Sequence, residues 1–313
     1  MDQFVIEEPE RMAWCRLLAT DGIGLDTARR LVRSIGSPST VLSANLQQWS
    51  MVEGMTETLA VRLRKALART NLKAESRWLG RNRGSHVPFG SMGYPPLLIP
   101  CPDPPGMLRC RGQLPPIDMP CVAIVGTRRA TTYGLRQAAR LTRGLVEQGC
   151  CVVSGGARGI DAEVHRTALR LGGRTVVVLG SGLAQPYPPE HEGLFERIVD
   201  HGGAIISEVH IRQSPRPGLF PRRNRVISGI SHAVVMVEAP HRSGAMITAR
   251  LAVEEHGRDA MAVPGPADAS TSAGCHRAIR EGWAYLVTSA EDVITCLQSD
   301  YTASVALGVN SGA

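Results

Sequence analysis

Aromatic side chains are scarce, at 4% of the 313 residues, and lysine stands only at Lys65 and Lys73 among 35 basic residues. The arginine bias carries no weight alone, because a GC-rich genome produces it too. No run approaches the roughly 18 apolar residues of a membrane span, so no membrane partner is expected. The eight cysteines are scattered, without a CxxC pair or a Cys/His ligand spacing, which argues against a zinc site or a disulfide framework. Cys150 and Cys151 fall in an apolar run and read as small hydrophobes, which suits a reducing cytoplasm. The first ten residues are acidic and hold no apolar stretch, so no signal peptide is expected. There is no Walker motif, so any ATP hydrolysis belongs to a partner. A G-x-G-x-x-G turn with a following ribose-binding acid is missing as well; this removes a dinucleotide oxidoreductase, and no cofactor is expected. The charge balance is informative in the other direction: a net +7 and a pI near 9.2 point to a polyanionic partner.

The stretch that organises the chain runs from Cys121 to Asp161. Cys121 to Val125 is an apolar run ending in Gly126-Thr127-Arg128, and a helical pattern follows from Thr132 to Glu147 through Leu135, Ala138, Leu141 and Leu145. Cys151 to Val153 then stops at Ser154-Gly155-Gly156-Ala157-Arg158-Gly159-Ile160-Asp161, with a second helix through Val164, Ala168 and Leu171. Two glycine turns thus end neighbouring strands, the place where open α/β sheets bind ligands. Glycine permits close backbone approach, the N–H groups of a helix start favour an anion, and Arg128 and Arg158 each add a cationic fork. The plainer reading is that any doubly wound sheet needs such glycines.

Upstream, Glu10 to about Gly80 is helical in pattern, broken at Asp21-Gly22-Ile23-Gly24, Gly36-Ser37-Pro38 and Glu53-Gly54. Aligning Gly22 with Gly54 also aligns Ile23 with Met55, Ala28 with Ala60 and Leu31 with Leu63, a weak internal repeat. The first copy resembles a helix-hairpin-helix, whose turn presents N–H groups to a DNA phosphate; a bundle used only for packing or protein contact is the other reading. Residues 81–120 are rich in proline and glycine and read as an ordered connector packed on the sheet, with short strands near Leu97 and over Met107 to Arg111. From 121 to 297 strand and helix patterns alternate, with strands over Arg174 to Leu179, Ala204 to Ser207, His232 to Glu238 and Asp259 to Val263. Helices are expected over Pro188 to Val199, from Phe220 through Ile230, over Met246 to Glu255 and over Ala290 to Leu297. The pattern predicts an α/β fold: a mainly parallel, doubly wound sheet at 121–297, preceded by a small all-helical domain at 1–80. The small, polar tail 298–313 is expected to be disordered.

Phe220-Pro221-Arg222-Arg223-Asn224-Arg225 sets three arginines, an amide and a rare aromatic at a helix start. Guanidinium groups hold phosphates while the ring stacks on an unpaired base, the combination that single-stranded nucleic acid requires. The alternative places Phe220 in the core and leaves the arginines solvated.

From Tyr94 to about Val293 the chain resembles the DNA-processing protein A family, DprA, also called Smf. The matching blocks are Tyr94-Pro95, Val125-Gly126-Thr127-Arg128, Ser154 to Asp161, Tyr187-Pro188, Ser207-Glu208, Phe220 to Arg225, Ser243-Gly244, Thr248-Ala249 and Val263-Pro264-Gly265. The resemblance implies an extended Rossmann-like domain that forms a homodimer and binds single-stranded DNA, protecting it during natural transformation and loading RecA onto it. It implies that Arg128, Arg158, Arg222, Arg223 and Arg225 hold phosphates beside the turns at Gly126, Thr127, Gly155 and Gly156. It also implies that Phe220 stacks on a base, while Asn224, Ser243 and Gly244 supply polar contacts or the pocket's shape. His276 stands where the family usually has asparagine, and no winged-helix domain is expected after the sheet. The rival on a related sheet, a LOG-type phosphoribohydrolase, depends on a Pro-Gly-Gly-x-Gly-Thr block, and Ala239-Pro240-His241-Arg242-Ser243-Gly244 stands there instead. Asp161 and His165 lie one helical turn apart and read as a helix cap and a packing ring rather than as an acid–base pair. Glu190-His191-Glu192 lacks a second histidine at zinc spacing, so the expectation is a non-catalytic binding protein.

Overall fold

The computed structural model describes residues 8–297, so the tail expected to be disordered lies outside it. Among these residues nine strands form one sheet: β1 (Gly84–Pro88), β2 (Met107–Gly112), β3 (Cys121–Gly126), β4 (Cys151–Ser154), β5 (Thr175–Leu179), β6 (Ala204–Ser207), β7 (Ala233–Val237), β8 (Asp259–Ala262) and β9 (Tyr285–Leu286). Their order is β1-β2-β6-β5-β4-β3-β7-β8-β9. All pairings from β6 across to β9 are parallel. The run of valine, isoleucine and alanine through β3 to β7 is buried on both faces, as a sheet covered by crossover helices requires. This is the Rossmann-like α/β architecture that the alternating pattern predicts.

One face carries α7 (Thr132–Glu147), α8 (Ile160–Arg170) and a last helix over 290–297 on Val122, Ile124 and Val152. The other carries α10 (Leu219–Gly229), α11 (Gly244–Glu254) and α12 (Ala273–Arg280) on Ala123, Val125 and Val234. Helix α7 starts where Thr131 accepts a bond from the Gly134 amide and buries Ala138, Leu141 and Leu145, one apolar stripe at helical spacing. The chain leaves β3 toward β4 on one side, whereas β7 and β8 extend the sheet on the other. A topological switch point therefore lies between β3 and β7, with the glycine turns at its carboxyl edge.

The segment 81–120 does more than pack on the sheet. β1 pairs antiparallel with β2, and β2 with β6, so the edge strand β1 and its neighbour β2 come from it. β1 is hidden in the sequence because Gly84-Ser85-His86-Val87-Pro88 reads as a loop. Its glycine is needed where a side chain's first carbon would lie 2.5 Å from the Cys110 carbonyl, and its proline closes the edge. The strand expected near Leu97 is instead a single 3-10 turn, Pro96–Leu98, because Pro95 and Pro96 have no N–H for a ladder. The helix expected from Pro188 divides into a 3-10 turn, Pro189–His191, and α9 (Glu192–Asp200).

Residues 8–81 are helical throughout their elements: α1 (Glu8–Leu18), α2 (Leu25–Ile35), α3 (Pro38–Ser43), α4 (Leu46–Ser50), α5 (Glu57–Arg69) and α6 (Lys73–Arg81). The weak repeat has a packing basis. Ile23, Ala28 and Leu31 share one core with Met55, Ala60 and Leu63. Gly22 sits against Leu63 of the second copy, and Gly54 against Arg30 of the first. Helix α6 ties this region to the sheet through buried Glu75, which accepts from Arg109 Nε of β2 at 3.0 Å and from the Ile211 amide at 3.2 Å. His86 Nε2 of β1 faces the other carboxylate oxygen at 3.3 Å.

Candidate nucleic-acid interface

At the carboxyl ends of β3, β4 and β5, Arg128, Gly155, Arg158, Phe220 and Arg223 meet around one notch, together with Ala157, Tyr187 and Pro188. Arg128 leaves β3 two residues after its end and is exposed; its guanidinium carbon lies 5.4 Å from the centre of the Phe220 ring. The ring, half-buried, is tilted 58° against Tyr187 at 5.7 Å. Gly180, which follows β5, makes the room: a side chain's first carbon there would lie 3.0 Å from Phe220 Cδ1. Arg158 extends from the turn before α8, and its Nε reaches Glu190 Oε1 at 2.5 Å.

The other arginines of the hexapeptide point to different tasks. Arg223 is buried, its Nη1 bonding Gly155 O at 2.6 Å and also the Val178 carbonyl. Burial lowers its pKa to about 10, partly opposed by the carboxylate of Asp161, so it stays cationic at neutral pH and charges the floor of the notch. Its guanidinium fills the space beside Gly155, whereas Gly156 packs on Val177 and Phe195; both glycines are buried, their open space used by side chains of this chain. Arg225 is buried between Glu208, at 2.5 Å, and Asp103, at 3.2 Å. Arg222 is exposed but lies outside the notch, against Glu208 at 3.1 Å. Asn224 bridges to α11, donating from Nδ2 to Gly244 O at 3.2 Å. Ser243 caps that helix by accepting from the Met246 amide. Gly126 closes β3 against β7, and the Thr127 amide donates to Glu238 O at 2.8 Å.

Two features are not singled out by the sequence pattern. Tyr187 forms a wall of the notch, although Tyr187-Pro188 is visible in the sequence only as a matching block. Glu238 ends the apolar strand β7 at the switch point, buried and with a positive φ of 51°. Its carboxylate accepts from the Thr131 amide at 2.9 Å and the Thr131 hydroxyl at 2.5 Å, so an internal anion occupies the start of α7. A lone acid closing an otherwise apolar run is the available signal.

His165 is buried, with Nδ1 2.7 Å from the Thr175 hydroxyl, and burial pushes its pKa down to about 3. Asp161 accepts from the Ala157 amide at 3.3 Å and steadies the turn that carries Arg158. His191 is tied to Gly156 O at 2.9 Å. His276 Nε2 lies 3.1 Å from Gly265 O, bracing the loop after β8. Among the described residues no group of three or more His, Cys, Asp or Glu side chains could hold a metal ion. A larger apolar cavity of about 350 Å³ lies under Pro95, Pro96 and Ile117, away from the arginines, and its lining offers little to an anion. No helix among the described residues is long and apolar enough to cross a membrane.

Known proteins match this chain. The family model for DNA recombination-mediator protein A matches residues 85–298. Protein Smf of Escherichia coli K12 is 36% identical over 285 residues, 91% of this chain and 74% of that protein. The chain spans about half the length of the Synechocystis and Mycobacterium tuberculosis relatives it also matches. DNA processing protein A from Streptococcus pneumoniae superposes with a TM-score of 0.75 at 28% identity, covering 93% of this chain and 98% of that one. DNA processing protein A from Helicobacter pylori, whose structure concerns its single-stranded DNA binding mode, does so at 0.62 and 30% identity, covering 70% and 97%. On the family match over residues 85–298 and the 36% identity across 91% of the chain, the chain belongs to the DNA recombination-mediator protein A family, the DprA/Smf proteins.

Proposed function

We propose that this protein binds single-stranded DNA at the arginine notch and serves DNA uptake and recombination. In this reading it acts in the cytoplasm as a non-catalytic homodimer that protects the strand and hands it to RecA. The observation that carries the reading is the cation and ring pair: Arg128 stacked on half-buried Phe220, with Arg158 and Arg223 lining the same notch. Duplex DNA keeps its base faces stacked, so only an unpaired strand uses the ring and the guanidinium groups together. The single-stranded DNA binding described for the Helicobacter pylori protein supports the same choice.

The test is fluorescence anisotropy of a labelled oligo-dT against a duplex of equal length, with a mononucleotide as competitor. Preference for the single strand, unaffected by the mononucleotide, is expected. A mononucleotide that binds as well as the strand and is cleaved to base and sugar phosphate would favour the phosphoribohydrolase alternative. Faster RecA filament growth on the bound oligonucleotide checks the hand-off, and sedimentation of the free protein checks the dimer.

A further inference from the structure

Two exposed arginines at this face are already held by carboxylates in the free chain. Arg158 meets Glu190 at 2.5 Å with 52% and 46% of the two side chains exposed. Arg222, 59% exposed, meets Glu208 at 3.1 Å. Both glutamates are fixed by the fold. Glu190 lies in the turn Pro189–His191, anchored by buried His191 on the Gly156 carbonyl, two residues before Arg158. Glu208 follows β6, and its backbone carbonyl accepts from Arg109 Nη1 at 2.7 Å. Arg128 differs: among the described residues no carboxylate pairs with it, and it lies over the Phe220 ring.

A carboxylate oxygen and a phosphate oxygen offer a guanidinium the same acceptor. We propose, resting on the single-strand reading above, that Glu190 and Glu208 are internal counter-anions occupying the places of backbone phosphates, so that DNA binds by exchanging phosphate for glutamate at Arg158 and Arg222. Arg128 engages the strand first, and each later arginine requires a glutamate to be displaced. A single phosphate gains little from one exchange, whereas a strand of successive phosphates makes both from one bound molecule. The glutamates thereby set a preference for polymer over free nucleotide or phosphate. A freed carboxylate also takes up a cation, which offsets part of the counterion release that DNA binding gives.

The experiment is a salt series of oligo-dT binding to wild type, Glu190→Gln and Glu192→Gln. Glu192 is exposed in the first turn of α9, and Glu192→Gln removes the same charge nearby from a residue without an arginine partner within ion-pair distance among the described residues. Glu190→Gln is expected to bind roughly twofold to fivefold tighter. Its slope of log affinity on log salt should steepen by up to about 0.7, and inorganic phosphate should compete at lower concentration. Glu208→Gln should act in the same direction at Arg222, with a thermal melt confirming that the variant is folded, since Arg225 shares that carboxylate. Unchanged or weaker binding by Glu190→Gln, or an equal gain in Glu192→Gln, overturns the exchange. Binding by neither wild type nor Glu190→Gln removes the single-strand reading itself, and the exchange with it.

Discussion

Arg128 occupies the face of the Phe220 ring that a stacked base would need. A cation over an exposed ring contributes about 0.5–1 kcal/mol, whereas a stacked base contributes about 1–3 kcal/mol. On the proposed reading, an arriving base displaces the guanidinium and leaves it to take the adjacent phosphate. Phe220→Ala should weaken oligo-dT binding by about 1–3 kcal/mol and leave weak duplex binding unchanged, as anisotropy on both probes will show. Arg223 calls for the opposite expectation. Its guanidinium is buried on the Gly155 and Val178 carbonyls and faces Asp161. Arg223→Ala should cost stability first, about 1–3 kcal/mol for the carbonyls left unpaired, read as a lowered melting temperature. The hexapeptide made Phe220 and Arg222 legible at the surface, but not the burial of Arg223 and Arg225. A run of arginines at a helix start reads as solvated charge. Only the packing of α10 between the ends of β4 and β5 and the start of α11 reveals which cations turn inward.

At the scale of elements, the helical region is joined to the sheet by a buried charge cluster. Burial opposes ionisation of Glu75, but contact with His86 and the guanidinium of Arg109 outweigh it and hold its pKa at about 2, below the ordinary 4.5. A depressed carboxylate pKa contributes stability that is fully present above the unfolded value and is lost as pH falls through the folded one. The chain should therefore lose roughly 3 kcal/mol of stability from this group between about pH 4.5 and pH 2. In Glu75→Gln that part of the acid dependence should vanish, with lower stability at neutral pH; parallel melts from pH 2 to 7 check it. The cluster was not legible, because Glu75 lies in the helical region while His86 and Arg109 lie on β1 and β2 within the segment that read as connector, and only the fold brings them together. The alternation from Cys121 onward was legible nearly to the residue, since fully buried parallel strands are continuous apolar runs between helical stripes. Next to the edge, β2 was legible over Met107 to Arg111, but the edge strand β1 was not, because its glycine and proline serve the edge rather than end the structure.

For the whole molecule, the switch point between β3 and β7 places the glycine turns together, and the arginine notch lies alongside on β3 to β5. Glu238 closes the start of α7, which on the proposed reading leaves the guanidinium groups to meet an anion. The central claim is that these groups grip the backbone of a single strand. The most direct test follows oligo-dT affinity across salt for wild type, Arg128→Ala and Arg158→Ala, both exposed positions whose loss leaves the fold intact. The account predicts tight binding that each substitution weakens, with the slope on log salt shallower by about 0.7 for Arg128→Ala and by less for Arg158→Ala, where release of Glu190 is lost together with the phosphate. Affinity and slope indifferent to both substitutions would contradict it.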